Sequence, residues 1–244
     1  MATTYHHGQA HRLLATAAGD LIERFTISTK VSPRAGLPPL REQAARAVDE
    51  LGTVPTVVLV HNPEHIVRAL PPDQAARWWH DTAEVMTELV ASGLCRAWGL
   101  ACWDPRPLLP LLPSPPSDQA PPPAVAMIRA GLLVPSDVLT ASDELLDQLK
   151  IEHEGRWGMS PFAGEPTLLA GAGIHQFLGH DAPSCRRPAV ALATAWHLPS
   201  VSRIAVGTSH PQHLAELAAA VEYPVDGDRI TRYRQRLTAH TRAG

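Results

Sequence analysis

Short apolar segments alternate along this chain with longer segments in which apolar residues recur every three or four positions. The short segments are rich in β-branched residues, which is typical of strands. The longer ones have the 3.6-residue period of helices that cover one face of a sheet. Six strands are predicted: Phe25–Val31, Thr56–His61, Cys95–Trp103, one within Ala124–Leu133, Gly155–Ser160 and Ser202–Val206. Helices are predicted at Gln9–Leu21, Arg41–Leu51, Asp73–Ser92, Arg187–His197, Pro211–Val221 and Asp228–His240.

Strands that alternate with helices predict a parallel α/β sheet joined by crossover helices. A closed TIM-type α/β barrel has eight strands, and 244 residues are enough for one barrel domain. The six predicted strands are two short of that number. We therefore expect one domain over 1–244 that either lacks the first two strands of a barrel or is not a full barrel.

The connection between the third and fourth strands, 104–123, contains nine prolines. Proline lacks an amide hydrogen and clashes with the preceding helical turn, so it stops a helix. We expect one or two helical turns within Arg106–Leu112, followed by an extended, polyproline-like segment.

Composition and charge exclude several classes of function. A formal net charge of −3 leaves no broad basic surface for nucleic acid. No segment approaches the ~18 consecutive apolar residues of a membrane span, and the polar N-terminus has no apolar signal-peptide core. Three scattered cysteines (Cys95, Cys102 and Cys185) do not make a disulfide framework or a zinc site, so no metal is expected. We expect a cytoplasmic protein that acts on a small molecule.

Polar residues stand where three predicted elements begin or end. Lys30 lies near the end of the first predicted strand, His61 ends the second, and Tyr5 opens a loop before the first helix. In α/β barrels the carboxyl ends of the strands form the active face, so polar residues there are candidates for function. An ordinary loop or capping role is the alternative for each of them.

Six short motifs, in this order along the chain, are similar to those of one enzyme family. They are Tyr5-His6-His7-Gly8, Ile27-Ser28-Thr29-Lys30-Val31, Leu59-Val60-His61-Asn62-Pro63, Arg96-Ala97-Trp98-Gly99, Met159-Ser160-Pro161-Phe162 and Ala205-Val206-Gly207-Thr208-Ser209-His210-Pro211. Together they resemble the aldo-keto reductases, from the tyrosine loop to the loop that holds the adenosine phosphate. Their common order favours an α/β, TIM-type (β/α) barrel that is incomplete because its first two strands are missing.

The resemblance implies a role for each matching residue. Tyr5 would donate a proton to the substrate carbonyl, Lys30 would stabilise the phenolate, and His61 would orient the carbonyl. The implied cofactor is NADPH. The residues that match its binding site are Ser160, Gly207, Thr208, Ser209 and Glu216.

Several positions depart from the family's pattern, and most of them affect the cofactor. Ala101 and Cys102 replace the Ser-Asn pair that holds the nicotinamide amide, and Met159 replaces the stacking tyrosine. Met127 falls near the position of a glutamine. The basic residue and the asparagine near the adenosine phosphate become His213 and Leu217, and the catalytic aspartate falls before Met1. Each lost hydrogen bond costs about 0.5–1.5 kcal/mol, so we expect NADPH binding to be weak or lost.

Two further residues are candidates for substrate binding. Arg129 follows an apolar strand and is able to clamp a carboxylate or phosphate, although a salt bridge at the rim is an equal alternative. Trp103 is a candidate for stacking on a substrate, whereas core packing is the main expectation for it and for Trp157. A glycine-rich loop at Gly171–Gly173 lies where the family folds a loop over its cofactor.

Three hypotheses about function remain open. The first is an NADPH-dependent oxidoreductase that reduces a carbonyl or imine. The second is a lyase, isomerase or dehydratase that uses Tyr5, Lys30 and His61 for proton transfer. The third is a catalytically silent barrel that binds a partner. Because the first two strands are missing, we also expect the edges at Phe25–Val31 and Ser202–Val206 to be covered by the N-terminal segment, by self-association or by a partner chain.

Overall fold

A computed structural model describes residues 1–112, 122–164, 166–169, 173–181 and 184–243. All six predicted strands are present and are slightly shorter than expected. They are β1 (Ser28–Val31), β2 (Val57–His61), β3 (Ala97–Cys102), β4 (Val125–Arg129), β5 (Arg156–Met159) and β6 (Arg203–Ala205). The α-helices are α1 (Ala10–Ala18), α2 (Leu40–Leu51), α3 (Pro63–Val67), α4 (Pro72–Ala91), α5 (Ser136–Gln148), α6 (Arg187–Ala195), α7 (Pro211–Ala219) and α8 (Gly227–Ala243).

The strands follow one another in the sheet in the same order as in the chain. β1 pairs with β2, β2 with β3, and β5 with β6, each in parallel register; Lys30 lies opposite Leu59, and His61 opposite Ala101. Parallel strands in sequential order, joined by crossover helices, are the topology of a TIM-type α/β barrel. The fold is therefore this barrel in an incomplete form, with six strands in the part of the chain that the structure describes.

Contacts divide the chain into two compact units. Unit 1 contains Met1–Met127 and Leu145–Gly155, and unit 2 contains Ile128–Glu144 and Arg156–Gly244. In unit 1, side chains from β1 to β3 pack against those of α2 and α4. This core consists of Val31, Ala44, Val58, Val60, Met86, Leu89, Cys95 and Trp98. Unit 2 has its own cores around the fully buried Leu198 and Ala189.

The N-terminal segment lies along the outer edge of β1. The Met1 nitrogen donates to the Ser28 carbonyl at 3.0 Å, and the Thr3 amide donates to the Lys30 carbonyl at 2.9 Å. Donors and acceptors two residues apart are the pattern of a parallel ladder. The edge at β1 is thus partly covered by the N-terminal segment, one of the three coverings expected.

Gly99, in the middle of β3, permits a close approach between backbones. A Cβ atom there would lie 2.1 Å from the Val125 carbonyl oxygen and 2.8 Å from Cδ2 of Leu59. No side chain fits in that space, so glycine is required where β3 meets the start of β4.

Two helices were not predicted from the sequence, α3 and the longer α5. In α5 the buried face is interrupted by Ser142, which is 0% exposed and donates its hydroxyl to the Val138 carbonyl at 2.8 Å. A serine at a core position hides the apolar period, which explains the omission. In the proline-rich connection the expected helical turn is a short 3-10 helix at Leu109–Leu111. Residues 113–121 of that connection, together with Gly171 and Ala172, lie outside the described residues.

Candidate functional site

Tyr5 is presented by a turn with an unusual backbone conformation. The turn Tyr5–Gly8 directly precedes α1, and both His6 and His7 have left-handed dihedral angles, with φ of 51° and 55°. Two consecutive non-glycine residues in this region are uncommon and cost free energy, so the surrounding contacts must hold the turn in place. The turn leaves the Tyr5 side chain 45% exposed.

Lys30 lies behind Tyr5 and is almost completely buried. Its residue is 8% exposed, and its Nζ atom is 5.8 Å from the centre of the Tyr5 ring. Nζ donates to the Met1 carbonyl at 3.5 Å, and no carboxylate of the described residues lies within 4.0 Å of it. Burial lowers the pKa of Lys30, because the charged ammonium loses its hydration.

His61 completes the cluster from the carboxyl end of β2. Its ring packs edge-on against the Tyr5 ring, with 5.8 Å between the ring centres. Burial, followed by the positive charges of Lys30 and Arg34, lowers the pKa of His61 to about 4. The imidazole is therefore neutral at neutral pH, so one ring nitrogen donates a hydrogen bond and the other accepts one. The three residues that the sequence singled out thus lie together.

A cleft of about 190 Å³ opens beside this cluster. Tyr5 and His61 form part of its wall, and side chains from the loop after β1 and from α3 form the rest. Its other lining residues are Thr4, Ser32, Pro33, Arg34, Asn62, His65 and Ile66. Asn62 takes a left-handed conformation with φ of 51° and begins α3, whose His65 and Ile66 line the cleft. Asparagine is one of the few residues that adopt this conformation readily.

A buried polar network, which the sequence did not reveal, holds the Tyr5 turn against β1. His11, on α1, is 2% exposed, and its Nε2 lies 2.6 Å from Oγ1 of Thr29, which is 0% exposed. Its Nδ1 lies 3.5 Å from Oε2 of Glu50, at the end of α2. Burial lowers the pKa of His11, against an opposite effect of the Glu50 carboxylate. Only the pairing in space identifies this network, because its members are 18 and 39 residues from His11.

A buried carboxylate that the sequence did not single out, Glu64, lies near the carboxyl ends of β2 and β3. Glu64 is 1% exposed and accepts a hydrogen bond from the Trp103 amide at 2.8 Å. Burial and the charge of Glu64 raise the pKa of the Cys102 thiol well above its ordinary value. Ala101 is 1% exposed and offers no side-chain donor. The positions that correspond to an amide-binding pair therefore present a methyl group and a buried, protonated thiol.

Trp103 and Trp157, for which core packing was the main expectation, differ from each other. Trp157 is 7% exposed and packs in the interior as expected. Trp103 is 41% exposed, so the expectation of core packing is wrong for it. Its backbone, held by Glu64, leaves β3 and carries the indole to the surface.

The remaining predicted site residues belong to unit 2. Ser160, with φ of 55°, and Gly207 line one cleft of about 450 Å³ together with Pro161, Phe162, Gly164, Ala205 and Val206. Thr208 accepts a hydrogen bond from the His210 amide at 3.2 Å, and Ser209 is exposed beside it.

Two charged residues of unit 2 already have partners. Glu216 forms a bidentate ion pair with Arg186, which donates from Nε at 2.9 Å and also from Nη2. Arg129 is half-buried at the end of β4, and its Nη2 donates to the Leu133 carbonyl at 3.5 Å. Any role of these side chains in ligand binding would have to compete with these contacts.

Each unit by itself offers the implied cofactor a different set of groups. In unit 2 Ser160 lines the cleft beside Gly207, and Thr208 and Ser209 follow in the chain, so hydroxyls that suit phosphate groups are present; at the start of α7 the amides of His210 and His213 already have partners. In unit 1 Ala101 and Cys102 offer no side-chain partner suited to a carboxamide. Unit 2 thus offers hydroxyl groups for phosphates, whereas Ala101 and Cys102 of unit 1 offer a carboxamide no side-chain partner.

Comparison with solved structures identifies the fold. An aldo-keto reductase from Klebsiella pneumoniae, solved in complex with NADPH, is 20% identical to this chain. The match covers 97% of this chain and 78% of the Klebsiella enzyme, with a TM-score of 0.68. This chain has the aldo-keto reductase fold. The aldose reductase of Giardia lamblia has the same fold; it is 19% identical, and the match covers 96% of this chain and 80% of that one, with a TM-score of 0.69. An aldo-keto reductase of Bacillus halodurans also has this fold; it is 17% identical, and the match covers 97% of this chain and 80% of that one, with a TM-score of 0.67. Neither a protein-family model nor a curated protein sequence matches the chain.

Potential metal ligands and membrane-spanning helices are two further features of the described part of the chain. The group of metal-ligating side chains found there is His80, Asp81 and Glu84, all exposed on α4. Exposed acidic side chains one turn apart are common on helices without a metal. No helix among the described residues is both long and apolar enough to cross a bilayer.

Proposed function

We propose that this chain is an oxidoreductase of the aldo-keto reductase type, which reduces a carbonyl or imine group of a small molecule with NADPH. The observation that carries the proposal is the meeting of Tyr5, Lys30 and His61 beside a cleft. Structures with this fold include the Klebsiella pneumoniae enzymes solved in complex with NADPH or NADP. NADPH would supply a hydride to the carbon of the substrate when bound.

The residues of this chain would supply the proton and orient the carbonyl. Tyr5 is exposed on the cleft and donates its hydroxyl proton to the carbonyl oxygen. His61, neutral because its pKa is about 4, donates a hydrogen bond to the same oxygen and so aligns the carbonyl. The Lys30 ammonium, 5.8 Å from the Tyr5 ring, stabilises the phenolate that remains.

Residues of unit 2 would hold the phosphates of the cofactor. Ser160 and Gly207 line a cleft, and Thr208 and Ser209 precede α7, whose amino end favours an anion. Glu216 contributes only if it exchanges its bond with Arg186. Because Ala101 and Cys102 provide no carboxamide partners, we propose that NADPH binds more weakly than in enzymes with a complete site.

The test combines NADPH binding with turnover. NADPH fluorescence is titrated, and its oxidation is followed with a panel of small aldehydes and ketones for the unmodified protein and for Tyr5→Phe. Loss of a positioned acid reduces turnover by about 10²–10⁴-fold. Tyr223→Phe, the same chemical change in unit 2, is the matched control and should leave the rate unchanged. Equal activity of Tyr5→Phe and the unmodified protein contradicts the proposal.

The state of Ala101 and Cys102 favours a second candidate, a non-redox enzyme. Tyr5, Lys30 and His61 are able to move protons in an elimination, isomerisation or dehydration, which needs none of the missing carboxamide contacts. Turnover of a hydroxy-carbonyl compound in the absence of NADPH, lost in Tyr5→Phe, supports this candidate over the reductase. If the protein neither binds NADPH nor catalyses a Tyr5-dependent reaction, the remaining hypothesis is a catalytically silent barrel that binds a partner.

A further inference from the structure

We propose that the cleft beside Tyr5 and His61 selects substrates that carry an oxyanion, a carboxylate or a phosphate, and that Arg34 is the residue that binds it. The inference rests on the proposed function, since it names the class of substrate for the same site. It assigns a binding role to a residue of the loop after β1, which the motifs did not include.

Two positively charged side chains, Arg34 and Lys30, lie at the cleft or directly behind it. Arg34 and His65 line it, and Lys30 lies behind the Tyr5 ring. No aspartate or glutamate is among the described residues that line the cleft. The charges of Lys30 and Arg34 both lower the pKa of His61, which places these two cations within electrostatic reach of the imidazole. An anionic substrate is therefore attracted to this cleft, and a cationic one is repelled.

Arg34 differs from most arginines of unit 1 because its guanidinium has no partner among the residues that the structure describes. Arg12 and Arg46 pair with Glu50, and Arg68 pairs with Asp104. The guanidinium of Arg34 forms neither an ion pair nor a hydrogen bond with any residue that the structure describes, and its side chain is exposed at the cleft. A guanidinium offers a planar fork of donors that matches both oxygens of a carboxylate or two of a phosphate.

The loop that carries Arg34 is fixed by a buried side chain of α2. Gln43, 5% exposed, accepts from the Ser32 amide at 2.8 Å and donates to the Ser32 carbonyl at 2.7 Å. It also donates to the Pro38 carbonyl at 2.7 Å, so one amide fastens both ends of the loop. The Arg34 backbone is thus held in place before any ligand binds, which reduces the entropic cost of binding.

The size of the cleft sets the size of the substrate. A volume of about 190 Å³ is below the ~300–1,000 Å³ of typical ligand pockets. It suits a compound of a few carbon atoms whose carbonyl faces Tyr5 and His61 while its oxyanion reaches Arg34. His65 lines the cleft and lies 3.8 Å from the buried Glu64, so Arg34 is the charge that the described wall of the cleft offers to an anion.

The binding test does not depend on turnover. Inorganic phosphate and succinate are titrated by calorimetry at low ionic strength into the unmodified protein, Arg34→Ala and Arg96→Ala. Arg96 is the matched control, because it is exposed, has no ion pair with the described residues and precedes β3 at the opposite end of the strand. We expect Arg34→Ala to weaken binding of both anions about 10–100-fold, the effect of one charged hydrogen-bonding group. Arg96→Ala should bind like the unmodified protein.

Two results overturn the inference: no binding of either anion at millimolar concentration, or equal loss in the two variants. If only phosphate or only succinate depends on Arg34, the substrate class narrows to that anion. Anion binding that depends on Arg34, without NADPH-dependent turnover, supports the inference while the proposed reductase fails. Conversely, a reductase whose preference for carboxylated over neutral aldehydes is unchanged in Arg34→Ala keeps its function and refutes the role of Arg34.

Discussion

The His11 network offers a sharp test of how the candidate site is held together. His11 joins α1, which follows the Tyr5 turn, to Thr29, the neighbour of Lys30 in β1. We predict that His11→Ala lowers both the stability of the protein and the Tyr5-dependent activity. The substitution removes the link between two catalytic candidates without touching either of them.

The magnitude follows from burial. His11→Ala leaves the Thr29 hydroxyl, 0% exposed, without its partner, which costs about 1–3 kcal/mol. The space left by the imidazole costs about 2 kcal/mol more, by analogy with other large-to-small changes in cores. A total of about 3–5 kcal/mol corresponds to a decrease in Tm of roughly 10 °C for a chain of this length.

Thermal unfolding followed by tryptophan fluorescence measures the effect, with His80→Ala on the exposed face of α4 as the control. The variant Thr29→Val and the double variant complete a thermodynamic cycle. Because the two side chains share one buried hydrogen bond, their effects should differ from additivity by about 1 kcal/mol or more. Additive effects, or a Tm for His11→Ala within 2 °C of that for His80→Ala, would refute the role of the network.

Two further predictions concern Lys30 and His61, whose pKa values are both lowered. Lys30 is buried without a nearby carboxylate among the described residues and has a lowered pKa, so Lys30→Met should raise Tm by a few degrees while abolishing Tyr5-dependent turnover. Lys150→Met, at an exposed lysine, is the control and should change neither Tm nor turnover. A Tm lowered by Lys30→Met contradicts the reasoning. In the folded protein the pKa of His61 is about 4, below the ordinary histidine value of 6.5. As the pH is lowered the unfolded chain therefore binds this proton first, so we predict that the free energy of unfolding falls between about pH 6.5 and about pH 4. The His61 imidazole signal, identified by its absence in His61→Gln, measures this pKa by NMR, and a value near 6.5 would show that the site is hydrated.

The strands were predictable because each has a simple pattern. Val57–Val60 is a continuous apolar run, and every one of its side chains is buried. The helices with an uninterrupted apolar face were predictable for the same reason. The helix Ser136–Gln148 was not, because a buried serine stands at one of its core positions. The spacing of apolar residues alone does not distinguish a buried polar side chain that hydrogen-bonds to a carbonyl of its own helix from one that faces solvent.

The candidate site was only partly predictable. Tyr5, Lys30 and His61 matched motifs with a fixed order, so their neighbours in sequence identified them. Arg34 lies in a loop that carries no motif. Its proposed role depends on the lack of an aspartate or glutamate among the described residues that line the cleft, and the sequence alone does not show which residues those are. Glu64 was missed for the same reason, since its contact with Trp103 joins residues 39 positions apart.

The reaction proposed here depends on unit 1 for its proton transfer. A neutral His61 and an exposed Tyr5 need only each other and the nearby Lys30 to act on a carbonyl, and all three lie in one unit. Carboxamide recognition would need polar groups at the ends of β3, where Cys102 is buried with a raised pKa. Acid-base chemistry on a small anionic carbonyl compound is therefore the property that this site should retain even where cofactor binding is weak. Proton exchange at the carbon next to the carbonyl, followed by NMR in D₂O with Tyr5→Phe as the control, detects it without any NADPH.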